Sequence, residues 1–247
     1  MCLIAIAWRI RDDWPLLLAA NRDEFHARAA APAARQMHGY IAGRDLAAGG
    51  TWLGASENRR FAAVTNFRDP SEPGDRLRSR GALVSEYLSG AQTPADYARE
   101  VADAAALYRG FNLLLGDANN LWYVGSRAGA PEALAPGVHG LSNHLLDTPW
   151  PKVTQLQARM QAAALLPDPL PSLFDALGDR SIAADESLPD TGIGLLRERA
   201  LSAAFIVTPG YGTRCSTVLA LAPDRGRFIE QTWNPDGTKA ARRSIEW

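Results

Sequence analysis

Cysteine is scarce in this chain of 247 residues: Cys2 and Cys215 are the only two. With no CxxC pair and no Cys/His grouping, neither a disulfide framework nor a structural zinc site is expected. Histidine is almost as scarce. His26, His38, His139 and His144 show neither HxH nor HExxH spacing, so no metal centre is expected, and no CxxCH motif would attach haem covalently. Gly43, Gly49 and Gly50 form neither GxGxxG nor a P-loop, which leaves nucleotide binding without support. Charge of one sign is also missing. Twenty-six basic and 27 acidic residues leave a net charge of −1, which argues against a nucleic-acid-binding surface. Long apolar runs are absent too. The run from Leu3 to Trp8 is far shorter than the roughly 20 residues of a membrane span. It also lacks the charged leader and cleavage site of a secretory signal. These absences give the expectation of a soluble, cytoplasmic chain that meets a small molecule and needs no cofactor.

What is present is a succession of short apolar runs. Leu3 to Ile10 and Leu16 to Ala20 read as two strands joined by a turn at "RDDWP", and the polar cluster Asn21-Arg22-Asp23-Glu24 falls where the second strand is expected to end. "GYIAGRD" and "GGTWLGASENRRFAAVTNF" suggest further strands, with Asn66 ending the run "FAAVT". Gly81 to Leu88 reads as a short helix. Thr93 has the character of an N-cap, with Pro94 at the first helical position and apolar residues following at helical spacing. "FNLLLGD" and "LWYVGSR" form a hairpin pattern. Pro149 to Leu166 and "PSLFDALGD" read as helices, and "SAAFIV", "TRCSTVLALA", "GRFIEQTW" and "ARRSIEW" as strands. The Pro-rich "LPDPLPS" reads as a surface connection within one domain spanning 1–247. Hairpin spacing favours antiparallel pairing over βαβ units. Strands apolar at most positions imply sheets covered on both faces. The pattern therefore predicts an α+β fold of two stacked antiparallel sheets with helices on the outer faces.

The position of Cys2 carries the chemical argument. If Met1 is removed, Cys2 holds a thiol and a free α-amine on one residue. The amine has an ordinary pKa of about 7.7–8.0 and can act as base toward its own thiol. A neighbouring arginine would stabilise the thiolate, a carboxylate would hold the amine, and amide donors would face an oxyanion. Arg22 and Asp23 supply the first two types, on the strand expected to pair with that of Cys2. Asn66 in "AAVTN" and Asn143 in "HGLSN" supply oxyanion donors, and Arg214 in "YGTRCST" a second cation. Each has a plainer alternative: Cys2 as a small core residue, the N-R-D-E cluster as a solvated turn, the asparagines as turn residues, Arg214 as a surface ion-pair partner. Cys215 reads as core, and Trp52 in "GGTWLG" as a residue at a pocket rim.

"MCLIAIAW … LLLAANRDE" strongly resembles the NRDE family, also called the transport and Golgi organisation family. "GRDLAAGGTWLG", "FAAVTNFRDP", "SRGALVSEYLSG", "FNLLLGD", "HGLSNHLLDTPWPKV" and "YGTRCSTVLAL" extend the resemblance in order over residues 1–222. That family is similar to the N-terminal-nucleophile (Ntn) cysteine hydrolases, among them amidases acting on penicillin V and conjugated bile acids. The resemblance implies an αββα four-layer sandwich, with Cys2, Arg22, Asp23, Asn66, Asn143 and Arg214 in matching roles. One departure stands out. In the amidases the first arginine and the aspartate lie three positions apart, whereas here they are adjacent. Adjacent strand residues face opposite ways, so Glu24 rivals Asp23 as the holder of the amine. Family members are linked to Golgi organisation, lipid metabolism and haem movement. Two functions follow. One is an amidohydrolase acting through Cys2 on a non-peptide amide or ester, with a carboxylate-bearing N-acyl compound as the favoured substrate. The other is a non-catalytic carrier of haem or an acyl ligand, in which the arginines pair with carboxylates.

Overall fold

The computed structural model describes residues 2–72 and 78–247. The chain opens with six strands: β1 (Cys2–Trp8), β2 (Leu16–Phe25), β3 (Ala30–Arg35), β4 (Tyr40–Asp45), β5 (Leu53–Ser56) and β6 (Phe61–Asn66). Helices α1 (Arg80–Ser89) and α2 (Pro94–Asp103) follow, and then β7 (Phe111–Gly116), β8 (Leu121–Gly125), β9 (Glu132–Ala133) and β10 (Gly137–Leu141). After α3 (Pro151–Ala163), α4 (Leu170–Leu177) and α5 (Leu195–Ala200) come β11 (Val207–Thr208), β12 (Tyr211–Leu221), β13 (Gly226–Trp233) and β14 (Lys239–Glu246). One antiparallel sheet has the order β10-β1-β2-β12-β13-β14 with β11 beside β12, and the other runs β3 to β9 in sequence order.

Alternation along the strands builds the layers. On β1 and β2, Ile4, Ile6, Leu16, Leu18 and Ala20 face the second sheet, where they meet Ile41, Leu53, Phe61 and Leu114. Leu3, Ala5, Leu17 and Ala19 face the other way, onto Val153, Leu156 and Met160 of α3 and Leu173 of α4. The second sheet turns Ala62, Val64, Leu113 and Leu115 outward onto Leu83, Tyr87, Tyr97 and Val101 of α1 and α2. Helix, sheet, sheet and helix thus stack as an αββα sandwich. As the sequence suggests, Thr93 caps α2: its Oγ1 accepts from the Asp96 N–H at 3.2 Å.

Three local readings are corrected. The N-R-D-E cluster does not end its strand, because β2 runs through it to Phe25, and β1 and β12 pair with it on either side. "SAAFIV" is buried but is not a strand before Val207, and α5 precedes it. β3 contains Pro32, which the sequence pattern missed. It sits on the outer edge of its sheet, where a missing N–H costs no ladder bond.

Candidate active site

Cys2 is the first residue of β1 and lies in register with Arg22 on β2, which is in turn in register with Cys215 on β12. Side chains in one register row share a face of the sheet, so both thiols flank Arg22 on the side toward the second sheet. The Cys2 carbonyl is held by the Ser142 hydroxyl at 3.0 Å. Ser142 continues into a polar seam that crosses between the sheets. Thr65 Oγ1 donates to the Ser142 carbonyl at 2.6 Å, Asn112 Nδ2 to Thr65 Oγ1 at 3.3 Å, and the Tyr123 hydroxyl to Asn112 Oδ1 at 2.7 Å.

The thiol opens onto a cavity of about 290 Å³ shared with Arg22, Asp23, Glu24, Asn66 and Arg80. Cys2 is 7 % exposed. Burial pushes its thiol up from the ordinary value; Asp23 and Glu24 add to that rise, and Arg22 opposes it. The Arg22 side chain is 9 % exposed. Its Nη2 reaches Asp45 Oδ2 at 3.3 Å, and its buried Nη1 has no hydrogen-bond partner among the described residues. Asp45 is fixed by Arg28 at 2.7 Å and by the N–H groups of Ala47 and Ala48 at 3.0 Å each.

Asp23 lies on the opposite face of β2, as its adjacency to Arg22 requires. There Thr213 Oγ1 donates to its Oδ1 at 2.8 Å. Burial raises its pKa, and the Lys152 cation opposes that rise. Lys152 stands in the first turn of α3 with its Nζ donating to the Leu201 carbonyl at 2.8 Å, and burial lowers its pKa to about 8. Glu24 also lines the cavity, but its Oε1 accepts from the Phe25 N–H at 2.9 Å.

Asn66 ends β6 and lines the cavity, while Asn143 is fully buried behind it and does not. Asn143 Nδ2 donates to the Asn66 carbonyl at 2.9 Å, and its own carbonyl accepts from the Arg68 N–H at 2.7 Å. Arg214 is not brought to Cys2. It is the extra residue of a β-bulge, since Thr213 pairs with Asp23 and Cys215 with Arg22. Its Nη1 donates to the carbonyls of Phe25, His26 and Arg28, and its side chain lines a separate cavity of about 210 Å³ with Cys215 and Glu230. Trp52, Arg22 and Asp45 lie at the boundary and line both cavities. Arg80, Arg28, Asp45 and Lys152 were not singled out from the sequence. The one available signal for Arg80 was its place in "SRGALVSEYLSG". Among the described residues no histidine lines the Cys2 cavity, and no group of three or more His, Cys, Asp or Glu could hold a metal.

A family profile for Transport and Golgi organisation 2 matches residues 1–235. The chain belongs to that family. It is 35 % identical over 250 residues to the Transport and Golgi organization protein 2 homolog of Homo sapiens, covering 91 % of this chain and 90 % of the relative. The Drosophila melanogaster protein of that name is 28 % identical over 167 residues, covering 60 % and 59 %. Among solved structures, a variant of the conjugated bile acid hydrolase from Clostridium perfringens superposes with a TM-score of 0.50 over 99 % of this chain and 97 % of that one, at 10 % identity. That likeness establishes the Ntn-hydrolase-like fold. Among the described residues no helix is long and apolar enough to cross a membrane.

Proposed function

We propose that this family member is an Ntn-type cysteine amidohydrolase that cleaves a non-peptide amide or ester, with Cys2 as its nucleophile once Met1 is removed. The observation that carries this reading is the placement of Cys2 at the start of a central strand, its thiol facing a cavity shared with an incompletely paired Arg22. The α-amine takes the thiol proton, and Arg22 stabilises the thiolate. Sulfur attacks the carbonyl carbon to form a tetrahedral oxyanion, toward which the Asn66 amide donates. Collapse breaks the bond to the leaving amine or alcohol, which takes the proton from the α-ammonium. Water then hydrolyses the thioester, giving the acid and the free thiol. Asn143 acts on this chemistry through Asn66, and Asp23 and Glu24 are the rival carboxylates for holding the amine. A small carboxylate-bearing N-acyl compound suits the volume and the cationic wall.

The burial of Cys2, which is only 7 % exposed, favours a second reading, a carrier that binds a hydrophobic acid or haem and turns nothing over. The Cys2→Ala variant separates the two. Loss of all amide and ester cleavage, with wild-type cleavage present, supports the hydrolase. Equal binding of haem or acyl ligands by both proteins, with no cleavage by either, supports the carrier.

A further inference from the structure

The first turn of α1 borders the Cys2 cavity, where Ser79, Arg80 and Gly81 form part of the wall. Ser79 is the N-cap, its Oγ accepting from the Gly81 N–H at 3.3 Å. This helix end is held hard against the loop before β5. Gly50 has φ +72°, and a Cβ there would stand 2.5 Å from the Gly81 carbonyl carbon. The Thr51 N–H also donates to the Gly81 carbonyl at 3.2 Å. Only glycine allows that approach, so the positive end of the α1 dipole is fixed at the cavity.

Among the described residues, the cavity wall carries five arginines against three carboxylates, and most of those arginines are already committed. Arg28 pairs with Asp45, Arg78 with Glu86, and Arg109 lies 3.7 Å from Glu72. Arg80 has no carboxylate within ion-pair distance among the described residues. Its Nη1 donates to the Gly110 carbonyl at 3.0 Å. Burial, and then the like charge of Arg109, hold its pKa below the ordinary value, while the charges of Glu72, Cys2 and Glu24 pull the other way. Arg22 Nη1 also lacks a partner among the described residues, but that atom is buried and closed to a ligand in the cavity. Arg80, with one donor spent on a carbonyl and no carboxylate partner among the described residues, therefore stands at the cavity wall beside a helix N-terminus. Water or side chains would ordinarily satisfy such groups, and an unmatched buried cation is costly. A carboxylate completes the Arg80 fork in the planar geometry that guanidinium groups favour.

We propose that Arg80, at the first turn of α1, is the receptor for the carboxylate of the substrate, in the same cavity as the Cys2 thiol. This rests on the hydrolase reading for the word substrate, but not for the binding itself. It replaces Arg214, which points elsewhere, with Arg80 as the second anion-binding cation. It also predicts a substrate class: short N-acyl amino acids, with neutral amides of the same chain length bound poorly.

The test uses full-length Cys2→Ala protein, so that no ligand is consumed. Calorimetry compares N-hexanoylglycine with N-hexanoylglycinamide. The acid should bind at least tenfold more tightly. Arg80→Gln in the same background should cut that preference below threefold, Arg80→Lys should keep part of it, and Arg99→Gln, on the exposed face of α2, should keep all of it. Thermal melts identify folded variants; should Arg80→Gln not fold, the acid-to-amide ratio in the Arg80→Lys and unsubstituted backgrounds decides. Equal binding of acid and amide, no binding of the acid, or a preference that survives Arg80→Gln overturns the receptor. So does displacement of the acid by inorganic phosphate at concentrations tenfold below those needed with acetate. Turnover by the wild type separates the two proposals. Acid preference without cleavage of any amide or ester retains the receptor and removes the hydrolase. Cleavage of acid and amide at equal kcat/KM retains the hydrolase and removes the receptor.

Discussion

Asn21 and Arg22 stand side by side on β2 and point to opposite faces of the sheet. Toward the helices, Asn21 has its polar atoms matched: Nδ2 donates to the carbonyls of Leu177 and Ala204 at 2.8 Å each, and Oδ1 accepts from Ser216 Oγ at 2.6 Å. Toward the other sheet, Arg22 reaches one carboxylate at 3.3 Å with Nη2 and leaves Nη1 unmatched. The first arrangement ties α4 and the segment before β11 to the sheet. The second holds a cation in reserve beside a thiol. One short polar motif thus combines a brace and an incompletely paired cation, and the state of hydrogen bonding separates them.

That contrast can be broken by substitution. Asn21→Leu should be the most damaging, because it strands two buried carbonyls and the Ser216 hydroxyl. A loss of about 3 kcal/mol is expected in urea unfolding, and a loss under about 1 kcal/mol would remove the brace. Lys152, on the same helix-facing side, should reveal itself through pH. Burial lowers its pKa to about 8 in the folded chain, whereas the unfolded chain holds that proton until about pH 10.4. The unfolded state binds more protons between these values, so stability relative to Lys152→Met should rise from pH 8 toward pH 10 by on the order of 2 kcal/mol. Below pH 8 the full cost of burying the cation is present. A flat difference between the two proteins across that window would contradict this assignment.

On the opposite face, Arg22→Met should slow alkylation of Cys2 at pH 7 about tenfold, as loss of a thiolate-stabilising cation requires. Unchanged alkylation would make Arg22 structural after all. Arg214→Met sharpens the comparison from a saturated position. This substitution removes the donor to three backbone carbonyls. It should cost about 1 kcal/mol and leave the rate of Cys2 alkylation within about twofold, read from a paired melt and mass-labelling time course.

Much of the scaffold was legible because alternating and helical apolar patterns report burial directly. β13 falls on "GRFIEQTW", and Thr93 begins α2 as a capping residue should. The N-R-D-E cluster was misplaced as a strand end because charge in a sequence reads as solvent. Here partners on two sheets and a helix layer absorb it inside a ten-residue strand. The pairing of the strands that carry Cys2 and Arg22 followed from hairpin logic. The displacement of Arg214 did not, because a bulge depends on how two strands pair across more than 180 residues of sequence. Arg80 escaped notice for a similar reason. Its neighbours in the cavity come from β1, β2, β4 and β6, and the close approach of Gly50 and Gly81 holds the start of α1 near the loop before β5.

The central claim is that Cys2 bears both nucleophile and base. Its most direct test is the intact mass of the protein purified from its own host, before and after brief treatment with a thiol-alkylating reagent. A mass lacking one methionine, with fast alkylation mapped to Cys2 and little at Cys215, is the predicted result. A retained Met1 would turn the required amine into an amide and contradict the mechanism.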